Sequence, residues 1–201
     1  SGANAVWQFH FDYLVKKSVR LSFNFLIDEL VLDKDYESNK QGSKATSSKI
    51  SFSIFKSKKH LLNLYFKHIF AGSFTFSHWN GTNNFVQSNK PLGWVNGSDG
   101  EEFSCGFNYV YNNKLITSLN LGLLKSGQKS IKDNPYVPYV GYDKQKFPTG
   151  NVKEYNLGSL CFIYKIKSNS NIFINVDLDQ NSINTKKELE LAIGFNLDLF
   201  R

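Results

Sequence analysis

Apolar side chains recur at every second position along most of this chain, the period of a strand with one apolar face. Trp7, Phe9, Phe11 and Tyr13 alternate with Gln8, His10 and Asp12. Val19, Leu21, Phe23, Phe25 and Ile27 stand against Arg20, Ser22 and Asn24, and Ile50, Phe52 and Ile54 against Ser51 and Ser53. The segment Leu61 to His78 is longer and less clean in phase. Clear alternation returns at Phe103–Tyr111, Leu115–Leu123, Leu160–Ile166 and Ile172–Leu178, and in a last run from Leu189 to Leu199. The pattern predicts nine strands and no amphipathic helix.

Many of these runs are near ten residues long. Soluble strands average about five to six, whereas about 9–11 residues cross a bilayer at a tilt. The opposite face is small or polar, built from Ser, Asn, Gly, Gln, Asp and Arg. Strands apolar outside and polar inside describe a barrel in lipid with a wet lumen. The connections point the same way. Lys16–Ser18, Ser57–His60, Asn112–Lys114 and Lys167–Ser170 are short breaks; Leu32–Ser48, Trp79–Glu101, Lys125–Asn156 and Asp179–Lys187 are longer. Alternating short turns and long loops are the signature of an outer-membrane barrel with periplasmic turns and extracellular loops. The expected fold is all-β, a transmembrane antiparallel β-barrel with residues 1–201 as a single barrel segment.

Strand parity adds an expectation. If the ninth strand runs inward, so does the first, which places residue 1 outside. An open sheet leaves edges that lipid does not tolerate. The reading therefore expects an odd number of further strands and a signal peptide ahead of residue 1. The absence of methionine fits it.

Composition narrows the class. The chain has 201 residues, 41% hydrophobic and 15% aromatic, which excludes collagen and a disordered tail. The longest apolar run, Leu160 to Tyr164, is five residues, far below the roughly 20 of a membrane helix. The net charge of +7 raises nucleic acid as a partner. The lysines instead cluster in polar breaks such as Lys16-Lys17-Ser18 and Ser57-Lys58-Lys59, so no nucleic acid is expected. Cys105 and Cys161 make no metal-ligand spacing, and spacing alone does not pair them.

Between the fourth and fifth predicted strands stand His78-Trp79-Asn80-Gly81-Thr82-Asn83-Asn84 and Pro91-Leu92-Gly93-Trp94-Val95-Asn96-Gly97-Ser98-Asp99. A hairpin follows, ending in Leu123-Leu124-Lys125-Ser126-Gly127. Over roughly residues 60–130 this resembles the C-terminal half of the Wzi-like capsule-assembly family of outer-membrane barrels. The resemblance implies half of a barrel of about 18 strands. It also implies a non-enzymatic role in holding capsular polysaccharide at the surface of a Gram-negative cell. No glycan-contact residue matches position by position.

Candidate chemistry is sparse. His10, Asp12, Arg20, Asn24 and Asp28 share the expected lumen face, where charge either sets selectivity or forms ladders that fill the barrel. Asp177, Asp179, Asn181 and Glu188 occupy positions 1, 3, 5 and 12 of a calcium-loop pattern, but Ser182 replaces its glycine and the flanks read as strands. No metal or other cofactor is expected. Asn80-Gly81-Thr82 and Asn96-Gly97-Ser98 match a glycosylation acceptor pattern and read here as turns.

Trp79, Trp94, Tyr136, Tyr139 and Tyr142 are loop aromatics whose ring faces suit stacking on a pyranose; the alternative is that they pack the loops together. No nucleophile elbow or phosphate loop appears, so no enzyme is expected. The partners expected are outer-membrane lipid, surface polysaccharide and other envelope proteins. The alternative functions are a general or substrate-selective porin and a barrel subunit of a larger envelope complex.

Overall fold

The computed structural model describes residues 6–28, 44–57, 59–77, 86–88, 90–132, 146–167, 170–181 and 187–197. The strands are β1 (Trp7–Lys16), β2 (Val19–Ile27), β3 (Lys44–Lys56), β4 (His60–Ala71), β5 (Val86–Gln87), β6 (Lys90–Pro91), β7 (Gly100–Tyr111), β8 (Leu115–Ser126), β9 (Lys153–Lys167), β10 (Ser170–Asn181) and β11 (Lys187–Leu197). No helix forms among the described residues. Nine strands make one antiparallel sheet in the order β1-β2-β3-β4-β7-β8-β9-β10-β11, and β5 and β6 make a small hairpin of their own. The sheet is not closed: β1 and β11 each have a single neighbour.

The nine strands of the large sheet match the predicted nine in number and order, with corrected ends. β3 starts at Lys44, within the expected loop, and β9 starts at Lys153 rather than near Leu160. Lys44–Lys49 has no apolar alternation to read. Its extended form comes from pairing with Ser22–Ile27 on one side and Lys67–Ala71 on the other, a tertiary override of local preference. β4 ends at Ala71 instead of His78, because a turn at 73–76 closes with the Thr75 amide on the Gly72 carbonyl at 3.1 Å. The β5–β6 hairpin, inside an expected loop, is too short to leave a pattern.

Register sorts the side chains onto two faces. One row across the sheet reads Leu21, Ile50, Phe66, Cys105, Leu121, Gly158, Leu178, Leu189. The neighbouring row on the other face reads Arg20, Ser51, Tyr65, Gly106, Asn120, Ser159, Asp177, Glu190. The register shifts at Leu14/Lys16, Ser53/Phe55 and Ser170/Asn171 all lie at the short-turn end, next to the turns they tighten.

No conventional core lies under this sheet among the described residues. Among the described residues the buried hydrophobic side chains are Ala71, Phe74, Phe76, Leu124 and Ile131, all at the end carrying the longer connections. The molecule exposes 13525 Å², whereas a folded soluble monomer of its mass exposes about 9,600 Å². On the apolar face large side chains stand uncovered: Phe9 is 58%, Leu123 59% and Ile193 67% exposed.

Candidate functional site

Three surfaces carry whatever this molecule does: the loop end, the polar face and the apolar face.

The loop end is organised by Asp99. This residue is fully buried in a left-handed conformation (φ 56°), which Asp tolerates better than most side chains. Its carboxylate accepts from Ser73 Oγ at 2.7 Å, from the Lys129 amide at 2.9 Å, from the Thr149 amide at 3.0 Å and from Thr149 Oγ1. Its own amide donates to the Gly72 carbonyl, and its carbonyl accepts from the Gly127 amide. Four segments, 72–77, 94–99, 127–132 and 146–150, therefore meet on one side chain. Buried carboxylates need such donors because desolvation without them is costly.

The surroundings are cut to fit. A Cβ on Gly127 would overlap the Asp99 carboxylate, and one on Gly97 (φ 85°) would stand 2.7 Å from Ser130 Oγ. Ser98 Oγ accepts from the Ile131 amide at 3.2 Å, and Ser130 Oγ donates to the Asn96 carbonyl at 3.0 Å. Gly97, Ser98, Asp99 and Gly127, part of the motif that carries the resemblance, are thus the residues that tie the loop end together.

On the polar face, cross-strand hydrogen bonds replace a hydrophobic core. His10 Nδ1 lies 2.7 Å from Asn24 Oδ1, and Arg20 Nε donates to Asp12 at 2.7 Å. Four of the five expected lumen residues are therefore brought together on β1 and β2. The fifth, Asp28, is buried just past β2 and accepts from the Phe76 amide, so its place is in the loop end rather than in that ladder. Further across, Lys67 Nζ, Ser104 Oγ and Trp94 Nε1 converge on the buried Glu102 at 2.8, 3.1 and 3.1 Å. Trp94 is half-buried, and its ring edge lies close over Gly100. Of the other loop aromatics named above, Trp79, Tyr136, Tyr139 and Tyr142 lie outside the described residues.

A longer bridge spans β3 to β8. Lys49 Nζ sits 4.6 Å above the Tyr65 ring. That ring crosses Gly106, where a Cβ would come 2.6 Å from the phenol oxygen, and its hydroxyl donates to Asn120 at 2.9 Å. Phe173 covers Gly194 in the same manner. Glycine is needed at both positions so that an aromatic ring can lie flat on the neighbouring strand. Lys49, Tyr65, Lys67, Glu102 and Asn120 were missed as site residues. The signal was the small residue at each covered position, Gly106 above all, but which strand supplies its cover depends on register.

On this face Arg20 and Lys67 are paired with Asp12 and Glu102, whereas Asp177, Asp179 and Glu190 stand together on β10–β11. The acidic side lines a recess of about 330 Å³ with Asn120 and Ser159. Asp177 is directly opposite Glu190, a like-charge juxtaposition that weakens a strand pair. The calcium-loop positions Asp177, Asp179 and Asn181 lie along β10, and Glu188 lies on β11 opposite Asp179. Among the described residues no three acidic, His or Cys side chains gather as a metal site.

The apolar face is bounded at both ends. Glu101, Lys125 and Glu154 mark its loop side, with Lys125 and Glu154 paired at 3.3 Å. Tyr13, Tyr109, Tyr111 and Tyr164 mark its short-turn side, joined by His60, whose Nδ1 is 2.9 Å from the Tyr109 hydroxyl. From Phe103 to Tyr111 the band runs about 26 Å along the strand at about 3.3 Å per residue. A tilt of about 40° would bring its height to about 20 Å, against about 25 Å for the lipid-facing band of known barrels. Cys105 and Cys161 are both free thiols and stand on opposite faces, Cys105 in the apolar row and Cys161 in the polar one.

No protein-family model, curated protein or solved structure matches this chain.

Proposed function

We propose that this chain is part of an outer-membrane β-barrel of a Gram-negative envelope, and that it holds surface polysaccharide at its loop end without catalysing a reaction. The observation that carries the reading is the uncovered apolar face, bounded by charge on one side and tyrosine on the other, backed by a face laced with cross-strand hydrogen bonds. Exposed apolar surface on this scale calls for a cover, and the height of the band suits hydrocarbon. The Wzi-like resemblance supplies the polysaccharide. Tyr136, Tyr139 and Tyr142 fall between Lys132 and Lys146, and the flanking stretches 127–132 and 146–150 are both held by Asp99. Recognition groups on a fixed base lose less entropy on binding than groups on a loose one.

The test is binding of purified capsular polysaccharide to the detergent-solubilised chain, with Tyr136→Ala, Tyr139→Ala and Tyr142→Ala as variants. Retained glycan affinity in the parent and loss in the variants fit the proposal. A chain that stays folded and dissolved without detergent refutes it at the root.

A second reading, a selective porin, is favoured by the acidic group Asp177, Asp179 and Glu190 on the polar face, since carboxylates lining a pore set its selectivity. Steady single-channel conductance in planar bilayers without glycan binding would select it. A stoichiometric partner retained through mild detergent extraction would select a subunit of a larger envelope complex.

A further inference from the structure

The two ends of the sheet differ in charge. At the short-turn end stand Lys16 at the end of β1 and Lys17 in the turn after it, Lys59 before β4, Lys114 before β8, and Lys165 and Lys167 at the end of β9, all exposed. None of them has a carboxylate partner among the described residues. Nor does any described Asp or Glu lie in those turns or in the last three strand residues beside them. Asp12, four residues back from Lys16 along β1, is engaged by Arg20. The loop end is mixed instead: Asp28, Asp99, Glu101, Glu102 and Glu154 lie there with Lys44, Lys90, Lys125, Lys129, Lys132, Lys146 and Lys153.

A second, independent feature lies beside the lysines. Tyr13, Tyr109, Tyr111 and Tyr164 form a belt on the apolar face, within a few residues of the lysines. Amphipathic rings of this kind settle where hydrocarbon meets headgroups. Belt and lysines together fix a depth: rings at the glycerol level and ammonium groups at the level of the phosphates. The lysine stems are long enough to reach outward while the strand stays in hydrocarbon.

We propose that the short-turn rim binds the phosphate groups of an anionic phospholipid leaflet, and so sets which way round the chain sits in its membrane. This rests on the apolar face being lipid-facing. An ammonium group near an anionic surface is attracted strongly enough that a rim of six concentrates acidic lipid around itself. The attraction decays within a Debye length.

The experiment uses the mature protein, with every strand that closes its sheet, reconstituted in vesicles of phosphatidylcholine and phosphatidylglycerol in equal parts. Electron paramagnetic resonance reads the motionally restricted fraction of spin-labelled phosphatidylglycerol against spin-labelled phosphatidylcholine. At low salt the anionic lipid should associate about two- to fivefold more strongly, and the preference should fall toward unity in about 1 M NaCl. The variant with Lys16, Lys17, Lys59, Lys114, Lys165 and Lys167 all changed to Gln should lose the preference at low salt. A variant changed at the loop-end residues Lys90, Lys129 and Lys146 should keep it.

Restricted lipid with no preference for phosphatidylglycerol overturns this proposal and leaves the lipid-facing reading standing. Loss of the preference through the loop-end lysines rather than the rim also overturns it. No restricted lipid of either kind overturns both. The salt titration of the unaltered chain decides the matter even if the sixfold variant does not insert.

Discussion

Replacing Asp99 with Ala should loosen the loop end while leaving the distant strands intact. The substitution removes the acceptor for four hydrogen bonds, two from backbone amides at Lys129 and Thr149 and two from the hydroxyls of Ser73 and Thr149. Hydroxyls can rotate to other acceptors, but the amides cannot. A buried amide left unpaired costs about 1–3 kcal/mol. Alanine in the left-handed conformation adds about 1 kcal/mol. Relief of the buried charge offsets part of this, so the net loss is about 3–4 kcal/mol.

The loss is local, so it should be read locally, by hydrogen exchange with mass spectrometry on the detergent-solubilised chain. Protection of the Lys129 and Thr149 amides should fall several hundredfold, at about 1.4 kcal/mol per factor of ten. The β1–β2 hairpin should exchange as before. Asp99→Asn keeps one acceptor oxygen and tolerates the backbone, so it should lose less. A fall of less than about tenfold in Asp99→Ala, or an equal fall in β1–β2, would refute the idea that this carboxylate holds the loop end together.

Other outcomes follow from the two faces. In vesicles Cys105 should resist a charged maleimide while Cys161 reacts; equal reactivity would remove the assignment of faces. Leu119→Lys, central on the apolar face, should cost about 2–4 kcal/mol in urea unfolding from vesicles, while Ser118→Lys one residue away should cost little; matching losses would contradict the sidedness. Tyr65→Phe should cost about 1 kcal/mol through the lost bond to Asn120. Gly106→Ala should cost more, because its Cβ would meet both the Tyr65 phenol and the Leu119 carbonyl; a neutral result by the same unfolding assay would mean that the ring does not lie across that strand.

Most of the sheet was legible from one period because its two faces differ so sharply in chemistry. Leu115–Leu123 and Phe103–Tyr111 announce themselves in this way. Legibility failed where backbone pairing sets the conformation instead of side chains. Lys44–Lys49 is extended because β2 and β4 flank it, and nothing in Lys-Ala-Thr-Ser-Ser says so. The loop end was hidden for a related reason. Gly97-Ser98-Asp99 stood out as a motif, but its role comes from Ser73 and Thr149, far off along the chain. Asp28 shares the parity of Arg20 and Asn24, yet β2 ends at Ile27 and leaves the carboxylate to the Phe76 amide. Parity assigns a face only while the strand lasts.

The order of the large sheet is the order of the chain, broken only where the β5–β6 hairpin stands between β4 and β7. Each strand of the sheet pairs with the one laid down before it, and only the outer edges of β1 and β11 are left without a neighbour. Such low contact order lets assembly proceed as a zipper, each hairpin laid down against the last one formed. At every intermediate length two edges are unpaired, the outer edge of β1 and that of the newest strand, so a catalyst of insertion would need to shield one fixed edge and one advancing front.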